Sequence, residues 1–183
     1  KNLFNFNSYI RGLMINIRMN RLLFPEWVTL VQIDENVYKK YFNLFNKLRQ
    51  TPNFDIRVNE SCELTKAMLW RLKPCFEMGG DGFATWDYVL CRDLDSPATY
   101  REAQAVKYWM NRDKAAHAIT DSVSHDLPML GGMIGFMPEH FTTRTGCNDF
   151  NSLMNLKRMD FSAKGSDQIF LNQAIYPLFA EKG

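Results

Sequence analysis

Apolar and polar positions along this 183-residue chain fall into blocks whose spacing changes from one block to the next. From Tyr9 to Leu23 the spacing predicts a helix, with Ser8 placed to cap it and Pro25 to end it. Val28 to Ile33 is a short apolar run of strand character. Glu35 to Leu48 returns to helical spacing, apolar at Val37, Tyr41, Leu44, Phe45 and Leu48. Phe54 to Val58 predicts a strand, Leu64 to Leu72 a helix, Gly79 to Gly82 a turn, and Asp87 to Arg92 another strand. Thr99 to Glu102 has the Thr-x-x-Glu form in which each side chain satisfies a backbone N–H of the first helical turn. It opens a helix to Met110, with Ala103, Val106 and Met110 turned inward. Ala115 to Ile119 predicts a strand, Pro128 to Phe136 is apolar and glycine-rich, and Ser166 is placed to cap a last helix through Ala174.

Alternating strands and helices predict an α/β fold, one sheet flanked by helices, in a single domain spanning residues 1–183. Ligands in such sheets bind in crevices at the carboxyl ends of strands. That directs attention to Asp93-Leu94-Asp95, at the end of the apolar run Tyr88-Val89-Leu90-Cys91. Two carboxylates one residue apart suit a hard divalent cation such as Mn2+ or Mg2+, which takes one or two carboxylates plus phosphate and water. Such a cation offsets charge on a departing diphosphate, so the arrangement suggests nucleotide-sugar chemistry. The plainer alternative is that one aspartate caps a turn or helix and the other pairs with Arg92 or Arg101. A strand followed by Asp-x-Asp also marks haloacid-dehalogenase-type phosphatases. Their motif opens the domain and carries Thr or Val where this chain has Pro97, in mid-chain.

Composition narrows the partners. Hydrophobic residues are 46%, charged residues 23%, and the net charge of +2 mixes both signs, the make-up of a folded chain with a core. No basic stripe suggests a nucleic-acid partner; the cations from Arg11 to Arg49 fall on predicted helices and read as a solvated face. No apolar run approaches the ~18 residues of a membrane span. No signal peptide is visible, and the chain opens on Lys1 rather than methionine. A cytoplasmic location is the expectation. Cys62, Cys75, Cys91 and Cys147 lack C-x-x-C spacing, so no zinc site is expected, and two of them read as buried thiols in a reducing compartment.

Arg92-Asp93-Leu94-Asp95-Ser96, then Arg101-Glu102-Ala103, Val106 and Trp109-Met110, resembles a group of bacterial- and viral-type glycosyltransferases of the GT-A fold. The likeness continues through His117 to Asp121, His125, Pro128 to Gly135 and Gly165 to Leu171. Upstream it takes in Tyr9, Gly12, Asn16, Pro25-Glu26-Trp27 and Trp70-Arg71. It implies a GT-A type, Rossmann-like mixed sheet flanked by helices. It also implies transfer of a sugar from a nucleotide sugar, a UDP-sugar first, to a hydroxyl of a glycan, protein or small-molecule acceptor. Asp93 and Asp95 would take the metal and diphosphate, and Arg71 and Arg92 would face nucleotide phosphates. Gly131 and Gly132 would lie beside the sugar, and His125 would meet phosphate or acceptor. Asp167, Gln168 and Asp121 are the candidates for the reacting centre.

Each of these residues has a plainer alternative: a surface ion pair for Arg71, a tight turn for Gly131-Gly132, a first-turn acid for Asp167, a solvated loop histidine for His125. His117 reads as structural, and Trp86 and Phe136 as core residues or as stacking surfaces for a sugar. The chain departs from the pattern at Thr120, where relatives carry arginine, and at Ile134, where they carry tryptophan. Most of the family's first strand and its histidine after the Asp-Gln helix are not within Lys1 to Gly183. The expectation is therefore a fold trimmed at both ends or a minimal member. A non-catalytic nucleotide- or glycan-binding member of the same fold is the alternative to an enzyme.

Overall fold

The structure, a computed structural model, describes residues 2–120 and 126–180, with side chains from residue 7 onward. It is mixed α/β, and its contacts group into two compact units, each built from two stretches of chain. The first comprises residues 1–62 and 94–111, the second residues 63–93 and 112–183.

In the first unit, α1 (Asn2–Leu23) buries Leu13 and Ile17 and leaves Arg11 and Arg18 exposed. Ser8 lies inside this helix rather than capping it, because the helix begins at Asn2. β1 (Thr29–Asp34) and β2 (Phe54–Asn59) pair in parallel, with Val31 opposite Ile56. Their inward residues Val31, Ile33, Phe54 and Ile56 pack with Leu13, Ile17, Phe45 and Leu48. Parallel pairing demands a crossover, which α2 (Glu35–Lys40) and α3 (Phe42–Leu48) supply. The single helix expected over Glu35 to Leu48 is broken at Tyr41, whose backbone (φ −118°, ψ 31°) leaves the helical region. Asp34 caps α2, its Oδ1 accepting from Asn36 N (2.8 Å) and Val37 N (3.2 Å). The Ser61 hydroxyl and these backbone N–H groups outweigh the effect of burial and hold its carboxyl below 3.8.

α5 (Tyr100–Met110) also belongs to the first unit. Its start is the expected capping box: Glu102 Oε2 accepts from Thr99 N (2.8 Å), and Thr99 Oγ1 accepts from Glu102 N (3.3 Å). Glu102, Val106 and Trp109 form the buried stripe. Met110, expected inward, is 37% exposed, since one residue beyond Trp109 turns it about 100° away from that stripe.

In the second unit, α4 (Leu64–Ala67) tightens into a 3₁₀ segment, Met68–Phe76, where one longer α-helix was expected. β3 (Val89–Arg92), β5 (Met133–Phe136) and β4 (Ala116–Ala118) form an antiparallel sheet with β5 in the centre. The strands are shorter than the apolar runs predicted. α6 (Pro138–Thr145), α7 (Phe150–Met154), α8 (Ser166–Phe170), a π-helical turn (Leu171–Ile175) and α9 (Tyr176–Phe179) complete the unit. Phe136 and Phe141 meet edge-on at 4.8 Å, and Phe179 lies 5.1 Å from Phe136. Around them pack Leu69, Leu72, Ile134, Phe170 and Ile175. Phe136, wholly buried, is core and offers no face to a sugar. Trp86 packs against the same core and donates Nε1 to Glu77 Oε2 (2.9 Å).

Among the described residues the strands thus form two small sheets, one parallel and one antiparallel, rather than one mixed sheet. Three thiols are buried rather than two; Cys62 is exposed. No described helix is long and apolar enough to cross a membrane.

Candidate functional site

In the 3₁₀ segment Leu69, Trp70, Leu72 and Cys75 turn inward, which leaves Arg71 only partly covered. Its Nε donates to Met68 O (2.7 Å), and this fixes the fork of the guanidinium. Nη1 donates to Asp93 Oδ1 at 3.0 Å. Asp93 follows directly on β3, where Val89 and Cys91 are buried in alternation. Cys91 Sγ donates to Arg71 O (3.5 Å), tying strand to 3₁₀ segment beneath the ion pair. Burial pushes that thiol up to about 12, which makes it an inert spacer rather than a nucleophile. The Asp93 side chain remains 47% exposed against 17% for Arg71, so the carboxylate keeps an open side.

Two glycines close the site from the loop before β5. A Cβ on Gly132 would fall onto the Asp93 carboxylate, and a Cβ on Gly131 would come within 2.9 Å of Arg71 Nη1 and 3.1 Å of Gln168 Nε2. Both glycines are buried, and only the missing side chains let backbone, guanidinium, carboxylate and amide converge. Gln168 stands in the first turn of α8. Its Nε2 reaches Asp167 Oδ2 at 3.3 Å, and its Oε1 is buried without a hydrogen-bond partner among the described residues. Asp167 is 3% exposed. Ser166 does not cap this helix: Gly165, in the left-handed region at φ 84°, precedes it, and the Ser166 hydroxyl donates to Ala163 O (2.8 Å).

The structure therefore brings together Arg71, Asp93, Gly131, Gly132, Asp167 and Gln168. Arg92, one residue before Asp93, ends β3 and alternates to the face opposite Cys91. Asp121 and His125 lie outside the described residues. His117 sits mid-strand in β4, opposite Gly135, and burial lowers its pKa, as suits a structural histidine.

Asp95 belongs to the first unit, in an exposed turn. α1 holds that turn. Gly12 lies against it, a Cβ there coming within 2.9 Å of Asp95 Cα, and Asn16 brackets it. Asn16 Nδ2 donates to Leu94 O (2.9 Å) while its Oδ1 accepts from Ala98 N (3.1 Å). Gly12 and Asn16, one helical turn apart, were named only through the family likeness.

One participant escaped sequence reasoning. Asn172, in the π turn, accepts from Met129 N (2.9 Å) and donates Nδ2 to Met129 O (2.8 Å) and Gln168 O (2.9 Å). A polar residue four positions after Gln168, between Leu171 and Ile175, is the signal that marks it. Among the described residues no cluster of three or more His, Cys, Asp or Glu side chains is arranged to cage a metal. No protein-family model matches the chain, and neither does any curated protein or solved structure.

Proposed function

We propose that the chain is a metal-dependent glycosyltransferase of GT-A type, moving a sugar from a nucleotide sugar, a UDP-sugar first, to an acceptor hydroxyl. The observation that carries the reading is the convergence of Arg71, Asp93, Gly131, Gly132, Asp167 and Gln168. These residues, scattered over 98 positions of sequence, share one site at the end of a strand. The strand-end position singles out Asp93, and the family likeness names the other five.

The donor set suits Mn2+ or Mg2+. Asp93 keeps an open carboxylate edge above a glycine cradle, and Asp95 follows it two residues on in sequence. Two carboxylates leave the remaining positions to phosphate and water, as these cations prefer. When bound, the cation offsets negative charge on the leaving diphosphate. Arg71 adds a guanidinium beside the same carboxylate, a donor fork that suits phosphate oxygens; Arg92 is the second candidate for that role. The bare backbone at Gly131 and Gly132 admits a ligand close to Gln168. The Gln168 Oε1, buried without a partner among the described residues, fits a hydroxyl donor, because a buried acceptor left unsatisfied is costly. Asp167 and Asp121 are the carboxylates to test at the reacting centre. Positioning and charge stabilisation supply most of the acceleration in such a site.

The test is nucleoside-diphosphate release from a panel of nucleotide sugars, with and without manganese, on this chain and on Asp95→Ala. Metal-dependent release from one donor, abolished in the variant, names the donor. Absence of both release and manganese-dependent UDP binding would falsify the reading.

A further inference from the structure

We infer that Asn172 is a positioning residue that sets the Gly131–Gly132 backbone at its working distance from Arg71 and Gln168. The inference rests on the reading of that backbone as one wall of a donor site. Three hydrogen bonds of 2.8 to 2.9 Å join its single amide to both backbone groups of Met129 and to the carbonyl of Gln168. One side chain thereby couples the loop that carries the glycines to the helix that carries Asp167 and Gln168. On the far side, Met133 N donates to Leu130 O (2.9 Å), so the two glycines lie in a turn anchored at both ends.

The tolerance is narrow. A Cβ at Gly131 would come within 2.9 Å of Arg71 Nη1 and 3.1 Å of Gln168 Nε2, so a loop shifted toward them loses the room the glycine leaves, and a drift away opens the wall. The clasp sits in a π-helical turn, Leu171–Ile175, directly after α8. Such turns are rare and are found frequently at functional sites. A π turn changes which way the following side chains point. Here that places an amide, rather than one of the apolar neighbours Leu171 or Ile175, against the Met129 backbone.

The experiment compares the wild-type chain with Asn172→Ala and Asn172→Asp by amide exchange, titration of UDP with manganese, and nucleoside-diphosphate release. In Asn172→Ala the Met129 amide, whose acceptor is gone, exchanges about tenfold faster, the factor a lost hydrogen bond is worth, while β3 and β5 keep their protection. UDP affinity stays within about twofold, and kcat falls about tenfold, since the ground-state phosphate contacts remain while the wall is lost. Asn172→Asp, which keeps the acceptor and loses both donors, retains Met129 protection and still loses kcat. Unchanged Met129 exchange in Asn172→Ala, protection lost equally across the second unit, or faster exchange with unchanged kcat would each overturn the proposal. A wild-type chain that neither binds UDP nor turns over a donor defeats the transferase reading alone; the exchange data then decide the clasp by themselves.

Discussion

The backbone of Gly132 occupies the position from which any side chain would strike the carboxylate of Asp93. The carboxylate cannot retreat freely, because Arg71 Nη1 holds its Oδ1 at 3.0 Å. Gly132→Ala is therefore expected to cost about 1–3 kcal/mol through overpacking and to abolish manganese-dependent UDP binding. Thermal unfolding and titration check the two halves. A Cβ at Gly131 overlaps less, at 2.9 Å from Arg71 Nη1 and 3.1 Å from Gln168 Nε2, so Gly131→Ala should weaken UDP binding with a smaller loss of melting temperature.

The Asp95 side chain is exposed, while the turn that carries it is held through its backbone by Gly12 and Asn16. Asp95→Ala should leave the melting temperature unchanged to within a degree or two, in keeping with surface substitutions worth less than about 0.5 kcal/mol, and remove metal-dependent turnover. A variant that unfolds earlier, or one that retains full turnover, would contradict the role given to this carboxylate.

Asn16 presents the opposite case, being 6% exposed and bonded to both sides of the turn that carries Asp95. Asn16→Ala orphans Leu94 O and Ala98 N, at a cost of about 1–3 kcal/mol. Urea unfolding measures that loss, and the same variant should weaken manganese binding although residue 16 touches no ligand.

Burial depresses the pKa of His117 below 6.5. The unfolded chain therefore binds a proton there before the folded chain does, and stability falls as pH drops below 6.5 toward the folded value. Above 6.5 both states are neutral at this position, so its contribution is flat. His117→Gln should reduce the slope of melting temperature against pH between about 6.5 and 5, the window in which an ordinary histidine titrates.

Of the thiols, Cys62 is exposed and Cys75, Cys91 and Cys147 are buried. A native-state titration with an aromatic disulfide reagent should count one prompt thiol and reveal the other three only on denaturation. Burial raises the pKa of all three, which compounds their protection. Two or more prompt thiols in the folded chain would show that the second core opens readily.

The periodicity of the chain located most elements, because burial on one face imposes a spacing that survives in sequence. It read Val31, Ile33 and Ile56 as strand interior and Val106 as helix interior. Spacing carries no record of a dihedral angle, so the break at Tyr41 and the 3₁₀ winding of Met68–Phe76 were invisible to it. Nor does it record which strands pair. Among the described residues the one expected sheet is two, a parallel pair joined by the α2–α3 crossover and an antiparallel set with β5 between two neighbours. Asp93 was legible from its place at the end of an apolar strand, while Arg71, the glycines and Gln168 were picked out by likeness; the structure places them together. The Arg71–Asp93 pair and the Asn172 clasp link positions 22 and 43 residues apart, and nothing local announces such bonds.

The division of the chain at residues 62, 93 and 111 has a consequence for its biosynthesis. A ribosome delivers the sequence from one end, and neither unit is continuous along it. The first unit waits for the stretch that ends at Asn111, including α5, before its last contacts can form. By then β3 has already emerged without β4 or β5, a lone strand with both edges open. A nascent chain halted near Asp93 therefore holds two incomplete cores at once, and that is the point at which a chaperone would find the most to cover.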